Sequence, residues 1–283
     1  MKAFKNMKRY VCSIYKSSLS NISVYVVLLT LFLVVQYCCP GIGRYLKETG
    51  DRANLWELYI WSMSTRQSQL IYLVGVIGMA CQVVGWHGGM DLHLIRMDRH
   101  RWIRSQAWTL FFHVIGVNVF MILCSVIACK GQITFRGEWS SASFIAAQYR
   151  YSGVIGLREI FFVSHNLLRF DPNVLGLISF ALASLLGISM GLIMMIFMLL
   201  KKTIFGGMVI VLLWFMDVLA KGIPAFGFLQ YILPFGLGRI TYTAWNYGVV
   251  SPGYCVLFLF ALYLFLLWSC DWISTKVDFV KAG

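Results

Sequence analysis

The chain has 283 residues, 59% of them hydrophobic and 12% charged, with a formal net charge of +13 and a mean hydropathy of +0.75. Soluble domains carry roughly 25% charged residues, so this composition excludes an ordinary soluble enzyme and predicts an all-α polytopic membrane protein. The excess Lys and Arg lies between apolar runs, which assigns it to membrane orientation and anionic lipid, with no nucleic-acid partner expected.

Residues 1–21 are basic, through Lys2, Lys5, Lys8, Arg9 and Lys16, and space Phe4, Met7, Tyr10, Val11 and Ile14 three or four apart. That pattern predicts an amphipathic interfacial helix on the membrane surface. Ile22 to Cys39 is an apolar run of spanning length, stopped by Pro40-Gly41, and no small-residue cleavage site follows it. It is therefore a retained first span over 22–39. Residues 40–68 mix both signs of charge and carry Leu55, Trp56, Leu58, Tyr59 and Trp61, an aromatic patch expected at the membrane interface. The second span is predicted over 69–86.

His87 to Gln106 is an intensely charged island, HGGMDLHLIRMDRHRWIRSQ. Each charge in hydrocarbon would cost roughly 2.5 to 3.5 kcal/mol, so the island lies outside the bilayer core. Leu92, Ile95 and Ile103 recur at near-helical spacing opposite a cationic side, which predicts a short amphipathic helix. Such a helix either rests in the headgroups or docks into a groove on a soluble partner.

The third span is predicted over 107–129, and residues 130–172 form the longest polar connector, with helical pieces at Phe144 to Ala147 and Val154 to Leu168. The fourth span, 173–200, would be about 42 Å long at ~1.5 Å per residue, beyond a ~30 Å core, and must tilt or protrude. Lys201-Lys202 make a tight turn into the fifth span, 203–220. Residues 221–252 are apolar but broken by Gly222, Pro224, Gly227, Pro234, Gly236, Gly238 and Gly248, which predicts helical pieces dipping partly into the membrane. The sixth span is predicted over 253–273. The short, cation-dense stretches at the N-terminus, the island, Lys201-Lys202 and the tail place both termini in the cytoplasm and connectors 40–68, 130–172 and 221–252 outside.

Motif chemistry is sparse. GxxxxGK[ST] and HExxH are absent, so the chain has no P-loop for ATP and no metal site is assigned, and no catalytic residue is assigned either. The eight cysteines lack metal-ligand grouping. Gln82, Asn118 and Asp217 are polar residues inside predicted spans and are candidates for a translocation pathway. Asn118 alternatively hydrogen-bonds across helices, and Asp217 is expected to pair with Lys221 one turn later. Ser179, Ala183, Gly187 and Gly191 form a small-residue stripe for close helix packing, either within the chain or between two chains. His87 and His113 support a separate reading, a membrane oxidoreductase or haem or metal anchor.

The layout resembles the permease subunits of ABC-2-type transporters: a basic amphipathic start, six spans, an amphipathic connector between spans two and three, and a broken apolar region before the last span. Its most local element is Leu94 to Gln106, similar to the family's stretch leading into span three, and Leu233-Pro234-Phe235-Gly236 resembles its re-entrant element. Where many members have Glu then Gly entering the connector, this chain has His87-Gly88-Gly89 and then Asp91, and Gln106 stands where a Lys is common. The resemblance implies a cell-membrane exporter in which two permease chains, identical or different, form the pathway. Cytoplasmic ABC ATPase subunits would bind ATP and Mg. Asp91, Leu92, Ile95, Arg96, Asp98, Arg99, Arg101, Trp102 and Arg104 would form the coupling helix that meets them. A peptide or amphipathic compound is the implied cargo, with self-protection as a possible outcome of its export.

Overall fold

The computed structural model describes residues 11–12, 15–16, 22–38, 41–64, 66–85, 99–148, 165–243 and 250–276. Among these the chain is mostly helical: α1 (Ile22–Cys38), α2 (Ile42–Thr49), α3 (Glu57–Ser64), α4 (Arg66–Gly85), α5 (Arg99–Ala128), α6 (Ser141–Gln148), α7 (Pro172–Leu199), α8 (Thr203–Gly222), the short α9 (Pro234–Leu237) and α10 (Pro252–Lys276). Helices α5, α7, α8 and α10 are long and apolar enough to cross a membrane, and α1 and α4 hold shorter apolar stretches over 24–36 and 69–81. The chain is thus an all-α membrane protein in architecture. One exception is a two-residue parallel pairing of β1 (Ala53–Asn54) with β2 (Ile133–Thr134), which the hydropathy pattern does not announce.

Helix α7 is the centre of the bundle: 78% of its apolar window is buried, against 22% for α8 and for α10. The small-residue stripe explains why. A Cβ on Gly187 would meet Tyr72 Oη at 2.8 Å, and one on Gly191 would meet the Leu110 methyls at 2.5–2.7 Å. Side chains from α4 and α5 of the same chain therefore fill these notches, so the stripe packs within the chain. Helices α8 and α10 instead turn large apolar side chains outward, among them Ile204, Phe205 and Met208, and Leu257, Phe265 and Trp268.

The ends of α7 are set locally. Asp171 caps its start by accepting the Asn173 amide at 2.7 Å, with Pro172 at the first helical position. At its other end Lys201 takes a left-handed φ of 57°. Its amide donates to the Met198 carbonyl and that of Lys202 to the Phe197 carbonyl, at 2.9 and 2.8 Å. This is a Schellman turn with lysine at the position that glycine usually fills.

Two sequence expectations need correction. The aromatic patch predicted for the interface lies in the core: Leu58, Tyr59, Ile60 and Trp61 are at most 2% exposed. Helix α3 lies against α4, α5 and α7, and Trp56 sits where a Cβ on Gly176 would be. Helix α5 begins at Arg99, well before the predicted start at 107. Trp102, Ile103, Ser105 and Gln106 are buried while Arg101 and Arg104 stay exposed, so one continuous helix serves both the cationic segment and the span.

Candidate functional site

Asn118, on α5, is the hub of a polar cluster linking four helices. Its Oδ1 accepts from Tyr59 Oη of α3 at 2.8 Å. Its amide nitrogen lies 3.0 Å from Tyr72 Oη of α4, 3.1 Å from Ser184 Oγ of α7 and 3.1 Å from the Val114 carbonyl. Tyr72 in turn donates to the Ala183 carbonyl at 3.2 Å. Every member is buried, and a closed network of this kind fixes helix register because each loss would orphan a polar group in an apolar interior. Of the two readings of Asn118, this geometry is the cross-helix bond. Gln82 falls on α4 with its side chain outside the described residues.

The second polar centre is an ion pair. Asp217 lies on the inward face of α8 with Gly206, Ile210 and Ala220. Its Oδ2 accepts from Arg239 Nη2 at 2.6 Å, with the two side chains 1% and 3% exposed. Asp217 thus has a partner at longer range than the one-turn pairing with Lys221 expected from the sequence. Arg239 arrives on the broken segment between α8 and α10, a 3₁₀ stretch Pro224–Tyr231, then α9, then a 3₁₀ turn Ile240–Tyr242. Phe235, Leu237 and Ile240 are buried there, and a Cβ on Gly238 would meet Leu186 of α7 at 2.7 Å. The part of the segment from Leu233 to Ile240 is therefore folded into the bundle, while Phe228 and Ile232 before it stay exposed, and the charge pair ties it to α8. Arg239 is the functional candidate that the motif search passes over. Its signal was present, since no other charged residue occurs between Lys221 and Asp271.

Of the predicted coupling residues, Asp91, Leu92, Ile95, Arg96 and Asp98 lie outside the described residues. Arg99 Nη1 lies 3.4 and 3.5 Å from the Ser274 and Thr275 carbonyls, at the C-terminal end of α10, where a cation meets the negative end of the helix dipole. His100 Nδ1 contacts Asp271 Oδ1 at 2.6 Å. Trp102 is fully buried, so it supports the core and does not face outward, whereas Arg101 and Arg104 are exposed. The start of α5 is in this way clasped to the end of α10. His113 is buried and its Nδ1 lies 2.8 Å from the Thr109 carbonyl, with the Tyr15 ring 4.7 Å away. His87 lies outside the described residues, and among the described residues no three metal-ligating side chains gather.

A third polar centre sits among the connectors, at the opposite end of α5. The Glu57 carboxylate is fully buried and accepts from the amides of Asn54 and Ser140, at 3.0 and 2.7 Å, and from the hydroxyls of Ser140 and Ser143, at 2.6 and 2.9 Å. Burial is the largest influence and pushes this carboxyl above its ordinary value despite the four donors. Asp51 accepts from the Ser141 amide and hydroxyl, at 2.7 and 2.6 Å, and from the Arg52 amide at 2.7 Å. Its partial burial raises the carboxyl, but the hydrogen bonds together outweigh this and hold it below its ordinary value. These two carboxylates fasten connectors 41–57 and 129–148 into one cap.

No protein-family model matches the chain, and neither a curated protein nor a solved structure is detectably similar to it.

Proposed function

We propose that the chain is the permease subunit of an ABC exporter, a six-span membrane protein in which α1 and α4 join the four longer helices as spans. A separate ATPase would drive it, and a second permease chain would complete the pathway. The observation that most supports this reading is the broken segment between α8 and α10. It is apolar, folded against the central helix from Leu233 onward, and anchored by Arg239 to Asp217, as a re-entrant element between the last two spans would be. The clasp between α5 and α10 adds a mechanical argument. A push on the connector before Arg99 would reach the last helix directly through Arg99 and the His100–Asp271 contact.

In the same reading the clasped end of the bundle faces the cytoplasm, and cargo is a peptide or another amphipathic compound. The test is to capture the chain from native membranes and ask by mass spectrometry whether a Walker-motif ATPase accompanies it. Arg101→Glu is the informative variant, because Arg101 is exposed whereas Arg99 is engaged with α10. An ATPase that copurifies with wild type and is lost from Arg101→Glu supports the proposal. No ATPase in the wild-type sample overturns it.

A further inference from the structure

Between α5, α7 and α10 runs a groove of about 410 Å3, within the ~300–1,000 Å3 typical of small-molecule sites. Its lining includes Arg104, Trp108 and Phe111 of α5, Leu185 of α7, and Phe260 and Tyr263 of α10. The lining is apolar and aromatic apart from the one cation, and the cation stands at one end. Arg104 is five residues inside the start of α5, and Phe111 is about 10 Å deeper at ~1.5 Å per residue. The groove thus has a charged mouth and a greasy body aligned with the spanning helices.

The surroundings fix the depth of that mouth. Helices α5 and α10 are antiparallel here, clasped at Arg99, His100 and Asp271. Trp268 and Trp272 of α10 are 62% and 54% exposed beside this end, and the Lys276 ammonium stands 6.0 Å from the Trp272 ring centre. Exposed tryptophans with nearby cations mark the headgroup level of a membrane protein. Arg104 therefore lies at the boundary between headgroups and hydrocarbon.

We infer that this groove is a binding site for one anionic phospholipid, its phosphate on Arg104 and an acyl chain laid along Trp108, Phe111, Phe260 and Tyr263. A guanidinium pairs with a phosphate through parallel N–H donors, and the lining below it has the apolar character of an acyl chain. Charge complementarity selects this occupant over a zwitterionic lipid. It also selects it over a second copy of the chain, which would have to bring a carboxylate to Arg104 above a wholly apolar insert. A lipid held there would bridge α5 and α10 beside their clasp.

The test is native mass spectrometry of the purified full chain, exchanged into a defined mixture of phosphatidylglycerol and phosphatidylcholine. One phosphatidylglycerol should be retained per chain, with a preference of about fivefold, the discrimination expected of a single basic residue at the surface. Arg104→Gln should abolish the preference and Arg104→Lys should keep part of it. Leu185→Trp should fill the groove and lower retention of both lipids. Arg101→Gln, an exposed arginine that does not line the groove, should behave as wild type. Equal retention of the two lipids, or an unchanged preference in Arg104→Gln, overturns the assignment. So does a dimer whose subunits cross-link through a cysteine placed at Tyr263, because the groove would then be covered by a second copy.

Discussion

A single buried guanidinium decides much about the last third of this chain. Arg239 and Asp217 meet at 2.6 Å with almost no exposure, and removing one partner of such a pair leaves a charge stranded in an apolar interior. Arg239→Ala and Asp217→Ala should each cost about 3–5 kcal/mol in thermal unfolding of the purified protein. The double substitution Asp217→Leu with Arg239→Met should recover most of that loss, since well-packed apolar pairs often replace buried ion pairs without penalty. If the double variant loses as much as the two single variants added together, the pair has no special energetic coupling. Legibility at this scale is uneven. Asn118 and Asp217 stand out as polar residues in apolar runs, and Arg239 is equally conspicuous once read as a charge needing a partner. Glu57 was hidden: Glu48, Asp51 and Glu57 look alike in a mixed-charge connector, and three of the four donors that hold Glu57 come from more than 80 residues away, at Ser140 and Ser143.

Among the elements, α7 shows how local signals and packing divide the work. Its start was readable from Asp171-Pro172, and its stripe of small residues marked a packing face, but the identity of the packing partner depends on Tyr72 and Leu110 arriving from other helices. Gly187→Leu should therefore unfold or misassemble the bundle, seen as loss of the monodisperse peak on size exclusion. Gly207→Leu makes the control, since a Cβ there meets nothing within 4 Å. The end of α7 makes the opposite prediction. Lys201 holds φ at 57°, a region that costs a non-glycine residue roughly 1–2 kcal/mol, so Lys201→Gly should raise the unfolding temperature. Lys201→Val, branched at Cβ, should lower it. The start of α5 could not be read the same way. Four arginines argued for an extramembrane segment, yet a helix can keep Arg101 and Arg104 in the open while Trp102 and Ile103 enter the core.

At the level of the molecule, the cap of connectors and the clasp between α5 and α10 hold opposite ends of one bundle, and pH distinguishes the cap's two carboxylates. Glu57 has a folded-state pKa raised from an ordinary value of 4.5 by burial. Its contribution to stability is therefore fully present below that value and is lost as pH rises through the folded pKa. Asp51, lowered from 3.8, behaves in the other sense: its contribution is present above that value and is lost as pH falls through the folded pKa. Unfolding temperatures measured from acid to neutral pH should show Glu57→Gln converging with wild type in acid and exceeding it near neutrality. Glutamine keeps an oxygen for the Asn54 and Ser140 amides and offers its nitrogen to serine hydroxyls that can turn to accept. Glu57→Ala should be destabilised at every pH, because each buried amide left without an acceptor costs about 1–3 kcal/mol. Asp51→Asn should lose the acid-side decline and leave the neutral-side behaviour of Glu57 intact. A Glu57→Gln variant less stable than wild type near neutrality would mean that the four donors favour the anion more than burial disfavours it. The cap would then be held by a charged carboxylate, and acid would be what opens it.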